Sequence, residues 1–182
     1  MGESHKRTKD PVAVKEALIN ASISLALEGG ISAVTTQSVC RIAGVSKGAL
    51  NHHYLNKQVL LESVFDYLLQ TFEAEVLNVL SEYEGNNAAF TKSYVDICLK
   101  ILEDETYRPL AALSTLLVSD ESCRQRWQTW LRDMINQYEA TGDNLQCQLA
   151  RFAVDGVWYN SLINNAPVDF QNIKVEILNN LN

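Results

Sequence analysis

A short run of small, polar and basic residues around one glycine could do chemistry together: Ala43-Gly44-Val45-Ser46-Lys47-Gly48, followed by Ala49, Leu50, Asn51, His52 and Tyr54. Ser46 is placed to cap a helix, and the free backbone amides at that end would face a phosphate. Lys47 adds a positive charge there. Gly48 and Ala49 are small enough for the helix to approach a groove wall closely. Asn51 and His52 can hydrogen-bond base edges or phosphates. Gly44 lies where the chain must reverse, and glycine reaches the positive φ that such turns use. The chemistry is that of a helix-turn-helix reading DNA. Helix-glycine-helix turns also join core helices, so the turn alone leaves both readings open.

The elements that position this run follow from periodicity. Residues 1–10 are polar and basic without periodicity and read as a flexible arm. Asp10-Pro11 opens a helix carrying Val14, Ala17, Leu18, Ala21 and Leu25 on one face, and Gly29-Gly30 stops it. Thr35 caps a second helix over Thr36 to Ala43, and Ser46 caps a third from Lys47 to about His53. Asn56 caps a long fourth helix with Leu61, Val64, Leu68, Phe72 and Val79 inward, ending near Glu82. After Gly85-Asn86-Asn87 come a helix with Phe90, Tyr94, Ile97, Cys98 and Ile101, and another beginning near Pro109. A helix opened by Asp120-Glu121 follows. Thr141-Gly142-Asp143 breaks it before a helix from Asn144 to about Asn164. Pro167 precedes a last one with Ile173, Ile177, Leu178 and Leu181. About nine helices and no convincing strand predict an all-α fold. The scarcity of turn formers agrees: 8 glycines and 3 prolines in 182 residues.

Charge separates the chain into two parts. The net charge is −7, yet residues 1–57 hold seven Lys/Arg against four acids, a local +3, and all three histidines. The remainder, with eight bases and eighteen acids, is −10. A basic minority beside an acidic body suits one end meeting a polyanion. Cys40, Cys98, Cys123 and Cys147 form no CxxC pair and fall on apolar faces, which predicts buried thiols and no zinc knuckle. His52-His53 are adjacent and point about 100° apart, so they are poor co-ligands for one metal. No cofactor is implied. No glycine-rich phosphate loop, Ser/His/Asp order or paired-carboxylate site stands out, which argues against an enzyme. No apolar run reaches the ~18–20 residues needed to span a bilayer, and no apolar signal segment opens the chain, so a cytoplasmic protein is expected.

The stretch from Gly30 through Thr35-Thr36-Gln37-Ser38-Val39-Cys40-Arg41-Ile42-Ala43-Gly44-Val45-Ser46-Lys47-Gly48-Ala49-Leu50-Asn51-His52-His53-Tyr54, then Asn56-Lys57 and Leu60-Leu61, resembles the DNA-binding domain of the TetR family. The match covers about residues 12–65. The resemblance implies residues 1–56 as a DNA-binding head with a flexible arm, and residues 57–182 as a helical effector-binding and dimerisation domain. It implies a homodimer on a palindromic double-stranded operator, released by a small-molecule effector. Carried over by position, Thr36, Gln37, Ser46, Lys47, Asn51, His52, Tyr54 and Lys57 align with DNA-contacting positions, with Gly48 beside them. Cys40 stands where the family carries alanine, Tyr54 where it carries phenylalanine, and Asn51 where it carries a tyrosine that lies along the phosphate backbone. Asparagine is shorter and could instead read adenine bidentately, a contact worth ~1–3 kcal/mol of discrimination.

Within that frame, Tyr67, Phe90, Tyr94, Cys98, Leu113, Trp127 and Trp158 are candidates to line the effector cavity, because small-molecule sites are mostly apolar with a few polar groups. No Lys/Arg cluster sits among them, which favours an apolar or aromatic effector over a multiply charged one. Leu145, Leu149 and Phe152, with Ala153 and Gly156 permitting close approach, are candidates for the dimer surface. Control by a partner protein instead of an effector, and activation instead of repression, stay open at this level.

Overall fold

A computed structural model of the chain describes residues 10–139, 142–163 and 168–181. The expected N-terminal arm, Thr141 and Pro167 lie outside them. Among the described residues there are nine α-helices and no strand, so the protein is all-α: a helix-turn-helix head followed by a larger helical body. The chain divides into two compact units, residues 1–65 and 66–182. The sequence boundary at 56/57 marks the start of a helix; the division of packing falls inside that helix, between Phe65 and Asp66.

The first unit opens with α1 (Pro11–Ala33), capped by the Asp10 side chain accepting from the Val12 amide, with Pro11 in the first turn. Its buried face includes Val14, Leu18, Ala21 and Leu25. The glycine pair breaks it as expected: Gly30 sits at φ 66, after which one further turn reaches Ala33. α2 (Thr36–Ala43) starts with a reciprocal cap. Thr35 Oγ1 accepts from the Ser38 amide at 3.1 Å, and the Thr35 amide donates to Ser38 Oγ at 3.0 Å. α3 (Lys47–His53) follows, and α4 (Lys57–Leu80) begins where Asn56 Oδ1 accepts from the Val59 amide. Leu18, Val34, Val39, Leu50, Leu60 and Val64 close the core of this unit. α4 ends slightly earlier than its apolar period suggested, passing into a 3-10 turn over Ser81–Tyr83.

The second unit is organised around α5 (Ala89–Glu103), which is buried on every side from Ala89 to Leu99. A helix with no solvated face needs partners all round. α7 (Glu121–Tyr138), α8 (Leu145–Ile163) and α9 (Phe170–Asn179) all pack against it. The helix expected at Pro109 starts later. Residues Glu105–Ala111 form a 3-10 stretch with Pro109 inside it, and α6 spans Ala112–Ser119. Asp120 caps α7 by accepting from the Cys123 amide, as its position predicted. The core is aromatic: Phe72 lies 5.8 Å from Tyr94, 5.6 Å from Trp127 and 5.5 Å from Trp130, centroid to centroid. Such pairs add roughly 0.5–1.5 kcal/mol each beyond their buried area. Cys98, Cys123 and Cys147 are buried thiols; Cys40 is half-buried.

Candidate nucleic-acid interface and ligand cleft

The turn between α2 and α3 is built by two groups. Gly44 takes the left-handed conformation (φ 62, ψ 38), and its amide and that of Val45 both donate to the Cys40 carbonyl, closing α2. Ser46 Oγ then accepts from the Ala49 amide at 3.1 Å, opening α3 two residues later. Leu50, 2% exposed, pins α3 to the core. The opposite face, one turn either side, presents Lys47, Gly48, Asn51 and His52, all exposed. A Cβ at Gly48 would meet only Ser46 Oγ, at 3.8 Å. The missing side chain therefore serves nothing inside the protein and leaves the helix surface flat toward whatever lies outside. Gln37 is exposed on the first turn of α2 and Thr36 is half-buried beside it.

A second site lies in the other unit. Tyr94 of α5, Ser114, Leu117 and Val118 of α6, Trp127 of α7 and Asp155, Trp158 and Tyr159 of α8 line a cleft of about 170 Å³. The Tyr94 hydroxyl donates to Asp155 Oδ1 at 2.6 Å. Burial pushes the Tyr94 phenol and the Cys98 thiol well up, with the neighbouring Asp155 charge adding to both. Burial also raises the Asp155 carboxyl, although the tyrosine hydrogen bond pulls it back. The Trp158 indole N–H is buried without a hydrogen-bond partner. A larger surface groove of about 660 Å³ runs between the end of α4, the start of α5 and the end of α7, but no tryptophan lines it.

Along α8, Leu145 (68%), Leu149 (57%), Phe152 (66%), Tyr159 (57%) and Ile163 (63%) are exposed at alternating spacings of three or four, seven across the gap at Gly156. Ala153 and Gly156 are exposed among them. A continuous apolar stripe of this kind on a single chain is a surface that wants cover.

Two family descriptions match the chain: bacterial regulatory proteins of the tetR family over residues 18–64, and the tetracyclin repressor-like C-terminal domain over residues 88–174. The chain belongs to the TetR family. It is 22% identical to the HTH-type transcriptional regulator BetI of Vibrio campbellii, covering 92% of this chain and 89% of that one. Its fold is that of a TetR-family member from Streptomyces coelicolor (TM-score 0.70, 16% identity, 93% and 98% of the two chains covered). It also matches the multidrug binding protein EbrR in complex with imidazole (TM-score 0.68, 16% identity, 95% and 92% covered). The protein is thus a TetR-family transcriptional regulator.

Within this TetR-family fold the residues singled out from sequence fall into distinct places. Ser46, Lys47, Gly48, Asn51 and His52 share one exposed face. Tyr54 does not join them: it is 2% exposed, its ring packs in the core, and its hydroxyl has no partner. Lys57 is exposed, but its ammonium donates to the Ile31 carbonyl at 3.1 Å at the end of α1. Of the cavity candidates, Tyr94, Trp127 and Trp158 line the cleft, whereas Phe90, Cys98 and Leu113 are sealed in the core around it and Tyr67 lies 45% exposed on α4. Periodicity tells which face of a helix is apolar; it does not tell whether that face meets a neighbour or a void. Asp155 and Tyr159 went unnoticed. Their signal was an acid three and four residues before a Trp-Tyr pair on an apolar helix.

No described helix is long and apolar enough to cross a membrane. Among the described residues no group of three or more His, Cys, Asp or Glu is placed to hold a metal.

Proposed function

We propose that this TetR-family protein is a cytoplasmic transcriptional repressor that binds a palindromic operator as a homodimer and leaves it when a small apolar or aromatic effector binds. Residues 1–56 serve as the reading head and residues 57–182 as the effector-binding and dimerisation body. Support comes above all from the α3 face, where Ser46, Lys47, Gly48, Asn51 and His52 stand exposed together, fixed by a capped turn. Thr36 and Gln37 at the start of α2 flank it, and Lys57 reaches the same phosphates once it releases Ile31. Tyr54 supports the head from beneath and makes no direct contact.

Dimerisation goes through the α8 stripe, with Leu145, Leu149, Phe152, Ala153 and Gly156 at its centre. Stable interfaces bury roughly 1,200–2,000 Å², and two heads must stand ~34–36 Å apart to enter successive major grooves. The effector enters the cleft beside Tyr94, Trp127 and Trp158 and favours a spacing of the heads that does not fit the operator. α4, which runs through the division between the two units, is the lever.

The test is selection of bound duplexes from random DNA by the full-length protein. An enriched palindrome, bound in a mobility shift and lost in the Lys47→Ala/Asn51→Ala double variant, is the expected result. Absence of any enriched sequence overturns the reading.

A further inference from the structure

We infer that the cleft of this protein takes a small organic monocation, an ammonium or a protonated aromatic base, with Asp155 as its counter-ion and Trp127, Trp158 and Tyr159 as its walls. The inference rests on the proposal that this cleft is the effector site, and it narrows the apolar or aromatic effector to one that carries a positive charge.

Asp155 is the only charged side chain among the described lining residues, and it stands among four aromatic rings, those of Tyr94, Trp127, Trp158 and Tyr159. Its carboxylate accepts from one group of the fold in this cleft, the Tyr94 hydroxyl at 2.6 Å. The nearest base on the same helix is Arg151, one turn earlier, and its guanidinium is directed elsewhere: it donates to Thr91 Oγ1 at 2.6 Å and to Asp143. It is itself only 4% exposed. Arg151 is ion-paired with Glu139 and Asp143; its charge also pulls the Asp155 carboxyl down, but without pairing to it.

Each class of ligand can be weighed against that arrangement. An anion would face a carboxylate at close range and be repelled. A neutral apolar ligand seated on Asp155 would strip water from its carboxylate and return nothing for it. A cation satisfies the carboxylate and lies against indole faces, the strongest aromatic partners for a positive charge. Burial already disfavours the Asp155 carboxylate, which is the strain that an arriving cation relieves. Size narrows the class further. At about 170 Å³ the cleft is smaller than the roughly 300–1,000 Å³ of drug-sized sites, and so fits a single ring or an ammonium head group. The residue is nonetheless more than a third exposed, so the ligand reaches it from solvent without opening the core.

Three single-ring probes test this on the full-length protein: benzylammonium, benzyl alcohol and benzoate, titrated by calorimetry and tryptophan fluorescence at fixed ionic strength. Benzylammonium is expected to bind about tenfold more tightly than benzyl alcohol, with benzoate weakest. Asp155→Asn is expected to abolish that preference while leaving benzyl alcohol unchanged. Tyr159→Leu, which keeps the α8 stripe apolar at a position exposed in the single chain, is expected to weaken benzylammonium several-fold and benzyl alcohol little. It serves if Asp155→Asn does not fold. Equal or tighter binding of benzyl alcohol by the wild type overturns the cation inference but leaves the effector cleft standing. A cation preference that survives Asp155→Asn removes Asp155 from its role and overturns the inference as stated. If neither the three probes nor a broad library of neutral and anionic compounds displaces the protein from its operator or perturbs its tryptophans, the effector reading fails, and the inference with it.

Discussion

At the scale of single residues, the exposed face of α3 separates charge from recognition. Lys47 offers a point charge near a helix N-terminus, so Lys47→Ala should weaken binding to all duplexes alike and lower the salt slope by about one. Asn51 offers a paired donor and acceptor, so Asn51→Ala should relax preference at one base pair of each half-site by ~1–3 kcal/mol. Fluorescence anisotropy across a salt series and a panel of single-base operator variants separates the two. An Asn51→Ala variant whose loss is uniform over that panel would reduce Asn51 to a phosphate contact. Gly48 makes a sharper case. Alanine there meets nothing closer than 3.8 Å, so Gly48→Ala should hold or raise the thermal midpoint, yet it should weaken operator binding if the bare helix surface lies against DNA. Unchanged binding would mean that α3 stands off the groove at this point.

At the scale of elements, two small devices hold the helices in place. The α2–α3 turn depends on Gly44 in the left-handed region. Gly44→Val forces a β-branched side chain into a conformation that costs L residues roughly 1–2 kcal/mol, and urea denaturation should show a loss of about that size together with loss of DNA binding. In the second unit, Glu139 at the end of α7 ties three helices. It accepts from the Thr91 amide at 2.9 Å and from the Thr91 hydroxyl, and it lies 3.8 Å from Arg151. Burial is the larger effect and raises its carboxyl above 4.5, against the pull of Thr91 and Arg151. An acid with a raised folded value keeps its proton longer in the folded state than in the unfolded one. The stability tied to that proton is present at low pH and is lost as pH rises from just above 4.5. Glu139→Gln, which cannot titrate, should therefore gain stability relative to wild type between about pH 4.5 and pH 7. Urea denaturation at both values checks this, and the opposite trend would make the Arg151 pairing dominant.

At the scale of the molecule, the apolar stripe of α8 decides whether one chain is enough. Phe152 is 66% exposed and contributes little to the fold of a single chain. Phe152→Asp should leave the helical circular dichroism intact, shift sedimentation from dimer to monomer at micromolar concentration, and abolish tight operator binding. A charge placed inside such an interface is left without a partner. A variant that remains dimeric would move the interface away from α8.

Much of this was legible beforehand for a physical reason: caps, turns and helix periods are local. Asp10, Thr35, Ser46, Asn56 and Asp120 each satisfy orphan amides within three residues of themselves, so their identity and position suffice to place a helix start. Gly30 and Gly44 have the positive φ that breaks or closes a helix, and the sequence marks them as plainly. The turn, the all-α class and the family pattern through Gly44 and Ser46 follow from such short-range rules. Tertiary structure decided the rest, because it depends on which helices end up beside one another. Tyr54 is interior and Lys57 is engaged by Ile31 through packing that no short window contains. Pro109 sits in a 3-10 stretch, not at a helix start. Tyr94 lines a cleft while Phe90, one turn away, is sealed, since α5 is surrounded on all sides and only the course of α6 and α8 leaves a gap. The acid of that gap, Asp155, gains its meaning from the rings that α5, α7 and its own helix α8 bring around it.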